Sequence, residues 1–589
     1  MLSQKIENLL NLALDATPEE RRQSLQLNVG FDTAEQTCEV IVQYQGDIAL
    51  LEEFSLETTL LLGNYAILRL PVSLVETVSL LPQITYMEKP KRLYFAVSEG
   101  KASSCITAVQ SGAVPVSRFD EGLFGSGVLV ACIDSGVDYS HPDFRNPDGT
   151  SRLLCLWDQT VPGNPPSGYH TGTLYTQEEI NAALAAGSAG DVQEQYRLVP
   201  SRDVSGHGTA VLGIAAGNGL SSQGTLRGVA SESPLAVVKL GTPEPDGFPR
   251  TTQLMQGLDF IIRLSMELQM PVAVNISFGN SYGSHSGDSL ISTYINTAAS
   301  FGQCVVCIGT GNEGVSGNHI SGVLSPSASL DVELGVGPYE STTNLQIWKN
   351  YADEIDIELI HPGGAAAGPI RSVLGPVRFQ LQNTELLAFY GMPSPFSTAQ
   401  EIYLDFLPAG DGSYIDNGSW TVRLTPKQIA DGAFHMWLPG GGSLGTDTRF
   451  YRPVPETTLT VPSATRRAVS VGAYNSALQS YADFSGRGFT RSFREVKPDL
   501  AAPGVGIRSA RSGGGYGSFT GTSFATPFVT GAAALLMEWG IVRGNDPFLY
   551  GEKVKAYLIR GARRLPGYGA WPNPELGWGV LCLRDSFPI

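Results

Sequence analysis

The sequence predicts an α/β protein. A parallel sheet covered by helices is preceded by a small α+β unit and interrupted by a β-rich insertion. Continuous apolar runs recur at GVLVACIDSG (127–136), LAVVKL (235–240), VAVNISFG (272–279) and QCVVCIGTGN (303–312). Helix-like segments lie between them, around 209–216 and in TTQLMQGLDFIIRLSMEL (251–268). Buried strands alternating with helices mean a parallel sheet with both faces covered. From 325 to about 458 this alternation stops and short β-rich stretches follow one another. The expected segments are therefore 1–100, 101–325, 326–458 and 459–589.

The N-terminal elements come first. Residues 3–15 have the apolar spacing of an amphipathic helix. Thr17 to Arg21, TPEER, is a helix start with a proline just inside. CEVIVQY (38–44) alternates like a strand. YAILRLP (65–71), SLVETVSLL (73–81) and ITYMEKP (84–90) read strand, helix, strand. The polar stretch KPKRLYFAVSEGKASS (89–104) closes the unit as a linker.

The insertion is read from LDVELGV (330–336), DIELIH (356–361), VRFQLQN (377–383) and SWTVRLT (419–425), with turn signals between. That pattern predicts a β-sandwich or jelly roll. The α/β pattern resumes at RAVSVGA (467–473). It closes with a helix of small residues, SFATPFVTGAAALLMEW (523–539).

Composition narrows the function. The chain has 589 residues, 39 basic against 56 acidic, for a net charge of −17. An acidic balance argues against nucleic acid as a partner. The start, MLSQKIENLLNLALDATPEE, lacks a cationic region, a long apolar core and a small-residue cleavage site. The expectation is no secretory signal and synthesis in the cytoplasm. No run of about 18 apolar residues predicts a membrane span. The cysteines number seven: Cys38, Cys105, Cys132, Cys155, Cys304, Cys307 and Cys582. An odd, sparse set predicts no disulfide framework and a reducing compartment. Cys304 and Cys307 form a CxxC, but inside an apolar strand, where buried thiols are the plain reading.

In such a sheet, function sits at the carboxyl ends of the strands. Asp134, Asn275 and Asn312 fall there. Three segments stand out. Asp134 ends a buried strand in ACIDSGVD. His207 lies between glycines in DVSGHGTAVLGIAAG and opens a helix. Ser523 opens a helix in GTSFATPFVTGAAALL. Singly, these fit a turn aspartate, a loop histidine and a helix cap. Together they point to nucleophilic catalysis. A serine hydroxyl is a poor nucleophile at neutral pH and needs a base, and the base needs an orienting carboxylate.

These segments resemble the Asp, His and Ser blocks of the subtilisin-like serine proteases, which share that chain order. GLFGSGVLVACIDSGVDYSHPDF (122–144), RGVASESPLAVVKL (227–240), VNISFG (274–279), IGTGNEG (308–314), VSVGAYNSALQSYADFSGRG (469–488), KPDLAAPGVGI (497–507) and GWGVLCLRDSF (577–587) carry the likeness further. The fold it implies is a subtilisin-like parallel-sheet catalytic domain with an N-terminal α+β propeptide and an inserted jelly-roll-like domain. The activity it implies is peptide-bond hydrolysis. By the same resemblance, Ser523 attacks, His207 moves the proton and Asp134 orients it. Asn312 then donates to the oxyanion with the Ser523 N–H. Ser277, Phe278 and Gly279 form an edge for an extended peptide. Gly309, Thr310 and Gly311 line the pocket for the side chain before the scissile bond. Asn275 stays outside the catalytic set, as a holder of its loop.

No cofactor and no metal are expected. The other histidines, His141, His170, His285, His319, His361 and His435, lack ligand spacing. Subtilases often bind calcium, but no acidic loop here maps onto such a site. The likeness also implies self-cleavage between propeptide and catalytic domain, within Phe95 to Ser104. The insertion, together with HPDFRNPDGTSRLLCLWDQT (141–160) and NSYGSHSG (280–287), resembles the Csp germination proteases of clostridial spores. In that group the propeptide stays bound non-covalently, and active members process the zymogen of a cortex-lytic hydrolase. Deposition in the spore is the corresponding localisation. Two other readings stand beside this one: a propeptide-blocked signalling pseudoprotease, and an intracellular subtilisin without a spore role.

Overall fold

The computed structural model describes residues 4–588 except 25, 33, 47–50, 52–53, 92–101, 112–121, 242–247, 372–374, 396, 411, 441 and 493–494. The chain divides into two compact units. One comprises Met1–Arg92, Asn280–Leu290 and Glu313–Thr458; the other comprises Leu93–Gly279, Ile291–Asn312 and Leu459–Ile589.

The larger unit is built on the expected sheet. Its strands run in the order Ser480–Tyr481, Val469–Asn475, Cys304–Gly309, Val272–Ile276, Leu129–Asp134, Leu235–Lys239, Leu153–Asp158 and Thr173–Thr176, and Leu500–Pro503 pairs beside Val469–Asn475. The five central pairings are parallel, from Leu153–Asp158 across to Val469–Asn475. Leu129–Asp134, Val272–Ile276 and Cys304–Gly309 are buried throughout. Apolar runs without alternation are what two covered faces demand.

Two helices cover the sheet near its functional end. His207–Ala216 and Thr522–Met537 are buried at every position. They approach closely because their contact residues are small. A Cβ on Gly531 would fall 2.4 Å from the Val229 Cβ and 2.9 Å from the Ala215 carbonyl oxygen. By length and composition Thr522–Val542 could cross a membrane, contrary to the sequence expectation, but 89% of that window is buried. Its apolarity is that of a core helix.

The cysteine expectation also needs correcting. Cys105 and Cys582 form a disulfide across 477 residues of sequence. Spacing arguments see frameworks of near neighbours, not one pair joining the two ends of a unit. Cys304 and Cys307 remain free and buried, and burial pushes both thiols up to about 12. They are neutral strand residues.

The other unit has two parts. In the first, strands Phe31–Asp32, Thr37–Tyr44, Tyr65–Pro71 and Glu57–Leu61 form an antiparallel sheet, with Ile84–Glu88 also paired to Thr37–Tyr44. Helix Asn8–Asp15 precedes Pro18–Gln23, whose Thr17 cap and Glu20 exchange hydrogen bonds as a capping box. The second part is a sandwich. One sheet orders His319–Val323, Ala433–Trp437, Thr343–Asn350, Ala399–Pro408, Thr384–Tyr390 and Pro376–Leu381; the other orders Ala366–Ile370, Glu354–Ile360, Gly418–Gln428, Leu330–Val336 and Arg449–Phe450. Both supply one apolar core that includes Leu334, Ile347, Leu404 and Trp420.

The two parts pack on each other. Leu9, Leu12, Ala13, Ala16 and Leu27 form a buried cluster with Leu387, Phe389, Tyr403 and Leu407. Arg378 of the sandwich pairs with Asp15 at 2.8 Å and Glu20 at 2.8 Å. The loop Asn280–Leu290, which holds NSYGSHSG, docks on the same sandwich. Gly283 N–H donates to Gln346 at 2.8 Å, and the His285 ring stacks on Trp437 at 4.1 Å. The expected cleavage window, Phe95 to Ser104, lies outside the described residues as far as 101, and Ala102–Ser104 form a 3₁₀ turn.

Candidate active site

Asp134 ends the strand Leu129–Asp134 and is fully buried. Its Oδ1 accepts from the Ser135 N–H at 2.7 Å and lies 2.6 Å from His207 Nδ1. Its Oδ2 has no partner among the described residues. The histidine ring is therefore the main group that can balance this buried charge. Holding the proton on Nδ1 leaves Nε2 as the basic nitrogen.

The strand end and helix start approach because Gly208 has no side chain. A Cβ there would fall 2.2 Å from the Gly136 carbonyl oxygen. A second aspartate fixes the approach. Asp203 accepts from Ser135 Oγ at 2.7 Å, from Gly206 N–H at 3.0 Å and from Thr209 N–H at 2.8 Å; Ser135 Oγ accepts from Gly208 N–H at 2.9 Å. Sequence reasoning missed Asp203 and Ser135. The available signal was an Asp six residues before a Thr in a loop that opens a helix. Beneath them, burial and then the charges of Asp134 and Asp203 push the Cys132 thiol well above its ordinary value.

Ser523 is the second residue of Thr522–Met537, where backbone N–H groups have no helical partner. The following residue, Phe524, sets its ring edge-on to His207 with centroids 5.1 Å apart. Ser523 Oγ donates to the Ser277 carbonyl at 3.2 Å, and Ser277 Oγ donates to the Ser523 carbonyl at 2.9 Å. Pro527, inside this helix, explains the second bond. Proline has no N–H to give the carbonyl four residues earlier, and that carbonyl is Ser523's.

Asn312 follows the strand Cys304–Gly309. Its Oδ1 accepts from Thr522 N–H at 3.1 Å and Thr522 Oγ1 at 3.2 Å. The amide is thereby fixed by its oxygen, with Nδ2 as its donor end. Asn275 accepts from Thr530 Oγ1 at 3.0 Å and donates to Ser277 Oγ at 2.9 Å. It holds the Ser277 side chain that in turn meets Ser523.

The remaining sequence candidates are placed as follows. Phe278 is buried, with its ring centroid 6.4 Å from that of His207. Gly279 and Gly311 both face Thr460: a Cβ on either would fall 2.3 Å from a Thr460 side-chain atom. Gly309 faces Thr526 Oγ1, 2.9 Å from a built Cβ. Thr310 is fully buried; its N–H donates to the Val471 carbonyl at 3.1 Å and its carbonyl accepts from Thr460 N–H at 2.9 Å. Among the described residues, no group of three His, Cys, Asp or Glu could hold a metal.

Residues 125–394 and 438–579 match the subtilase family. Residues 4–91 match the Csp protease B prodomain. The solved structure of the CspB protease of Clostridium perfringens is similar at 35% identity and a TM-score of 0.74, covering 82% of this chain and 96% of that one. The minor extracellular protease Vpr of Bacillus subtilis (strain 168) is 25% identical over 494 residues, 79% of this chain and 52% of Vpr. The PII-type proteinase of Lacticaseibacillus paracasei is 24% identical over 457 residues, 72% of this chain and 23% of that protein. The chain spans about half the length of Vpr and less of the proteinase.

Proposed function

The chain belongs to the subtilase family, and from that premise we propose that it is a serine endopeptidase whose triad is Asp134, His207 and Ser523. The observation that carries this reading is the 2.6 Å contact of His207 Nδ1 with the buried Asp134. Rotation of the Ser523 hydroxyl away from the Ser277 carbonyl presents it to His207 Nε2. Oγ attacks the peptide carbonyl while Nε2 takes its proton. The imidazolium so formed sits against Asp134, which stays ionised. The oxyanion is met by Asn312 Nδ2 and the Ser523 N–H. Collapse expels the amine, protonated by His207, and water completes the cycle through the acyl-enzyme. Ser277–Gly279 supplies the edge that pairs with the substrate backbone.

The first substrate in this reading is the chain itself, cut within Phe95 to Ser104. The N-terminal segment then stays bound. Its buried contacts with Leu387, Phe389, Tyr403 and Leu407, and the Arg378 pairs, support retention. The physiological substrate we propose is a protein zymogen in spore germination, namely that of a cortex-lytic hydrolase, on the likeness to the Csp group. Intact mass of the purified protein beside a Ser523→Ala variant tests this reading. The expected result is two co-purifying fragments for the wild type and one whole chain for the variant. If both stay whole, the propeptide-blocked sensor takes the place of the protease.

A further inference from the structure

The larger unit holds a second concavity, a cavity of about 580 Å³. None of its lining residues belongs to the triad, the oxyanion donors or the substrate edge. Its walls come from the helix Ile106–Gln110, the helix His207–Ala216, the segment 224–228, the strand Ile507–Ala510 and the helix Thr522–Met537. Sites for small molecules run to roughly 300–1,000 Å³ and pair an apolar lining with a few placed polar groups.

Both parts are present here. The apolar lining is Ile214, Ile507 and Phe528, at 3%, 2% and 0% exposed, with the half-buried Phe124. The polar groups are two guanidiniums from different elements, Arg227 and Arg508. Arg227 is already held in place, its guanidinium carbon 5.2 Å from the centroid of the Phe124 ring. Stacking of that kind leaves the N–H edge available to donate. Among the described residues, neither guanidinium pairs with a carboxylate or donates a hydrogen bond. Carboxylates are not scarce in this chain, with 56 acidic residues against 39 basic ones. The walls are also tied together: Gln110 Nε2 donates to the Gly228 and Val229 carbonyls at 3.1 and 2.7 Å.

We propose that this cavity binds a small organic anion, a planar apolar body carrying one carboxylate. The head group meets Arg227 and Arg508, whose planar forks suit a carboxylate. The body lies against Phe124, Ile214, Ile507 and Phe528. A bare inorganic anion would leave that apolar lining unused. Two cations are too few for a nucleic acid, and the chain's net charge of −17 opposes one. Ile214 belongs to the helix that His207 opens and Phe528 to the helix that carries Ser523. A ligand touching both stabilises the folded unit by mass action.

Calorimetric titration with naphthoate tests this, on the wild type, Arg227→Gln, Arg508→Gln and the double variant. The wild type is expected to bind one equivalent saturably, and its unfolding temperature should rise with naphthoate concentration. Each single substitution should weaken binding about tenfold, the scale of one charge-assisted hydrogen bond. Arg508 is exposed, so Arg508→Gln leaves the core intact and separates a lost ligand contact from a lost fold. Naphthamide, the same body without the charge, should also bind about tenfold more weakly, and inorganic phosphate no better. Binding needs no member of the triad, so the Ser523→Ala chain should titrate as the wild type does. Absence of saturable binding to the wild type, binding undiminished in the double variant, or phosphate held as tightly as naphthoate overturns the inference.

Discussion

Ser277 and Ser523 exchange hydrogen bonds, hydroxyl to carbonyl in both directions, at 2.9 and 3.2 Å. One of the two exists because Pro527 cannot donate to the Ser523 carbonyl. The Ser523 backbone is thus held by a strand-end side chain instead of its own helix.

This exchange predicts a coupling between Ser277 and Pro527. Ser277→Ala leaves the Ser523 carbonyl buried and unpaired and should cost about 1–3 kcal/mol of stability. Adding Pro527→Ala returns an N–H to that carbonyl and should recover most of the loss. Thermal unfolding of both single variants and the double variant measures the coupling. Strict additivity would show that the proline plays no such part.

Asp134→Asn should leave the fold intact and lower kcat by about 10⁴-fold, the scale for an orienting carboxylate of this kind. The reason is local. Oδ1 binds Nδ1, Oδ2 is unpartnered and the site is fully buried, so little else can compensate an imidazolium. An amide in that place can donate to Nδ1 and turn the ring to the wrong tautomer. Single-turnover rates of self-cleavage or of peptide hydrolysis give the measurement. A loss below tenfold would remove Asp134 from the mechanism.

The Cys105–Cys582 disulfide joins the start and the end of the catalytic unit. Its loss through Cys582→Ser should lower stability by about 2–4 kcal/mol. It should leave kcat near wild type, since the hydrogen bonds that hold Asp134, His207 and Ser523 involve neither cysteine. Peptide mapping without reductant should find the two cysteines in one cross-linked pair. Finding both thiols free in protein purified without reductant would remove the bridge.

The three residues of the proposed triad are legible in the sequence because each sits in a local pattern: an aspartate ending an apolar run, a histidine between glycines, a serine opening a small-residue helix. Asp203 gives a weaker signal, an aspartate six residues before a threonine in a polar loop, and its bonds to Ser135, Gly206 and Thr209 become visible only in the folded chain. The strand Ala399–Pro408, AQEIYLDFLP, was equally hard to read. All ten positions are buried, so alternation is lost. Ile402, Leu404 and Phe406 face the sandwich core, while Tyr403 and Leu407 face the N-terminal helices. A strand covered on both faces looks like any apolar run until its partners are known.

That same strand carries a pH dependence. Burial pushes the Glu401 carboxyl up to about 8, with Glu7 adding repulsion and Lys91 opposing it. Glu7 is also raised by burial, and burial pushes Asp405 up to about 7 with Lys89 opposing. Facing Glu401 are Glu7, Glu88, Asp288 and Lys91 around one small cavity, with Asn8 Nδ2 at 3.4 Å. Lys91 is already engaged by Glu7 and Glu88. The folded carboxyls therefore bind protons that the unfolded chain releases near its ordinary values of 4.5 and 3.8. Their stability contribution is complete below those values and is lost as pH rises through about 7 to 8. The N-terminal segment should then grip the sandwich less tightly at pH 9 than at pH 6. Hydrogen exchange in Asn8–Asp15 and Ala399–Pro408, corrected for intrinsic rates, should show the loosening. Glu401→Gln cannot ionise and still accepts from Asn8, so it should flatten the profile by roughly one proton's worth of slope. An unchanged profile in that variant would place the titrating group elsewhere.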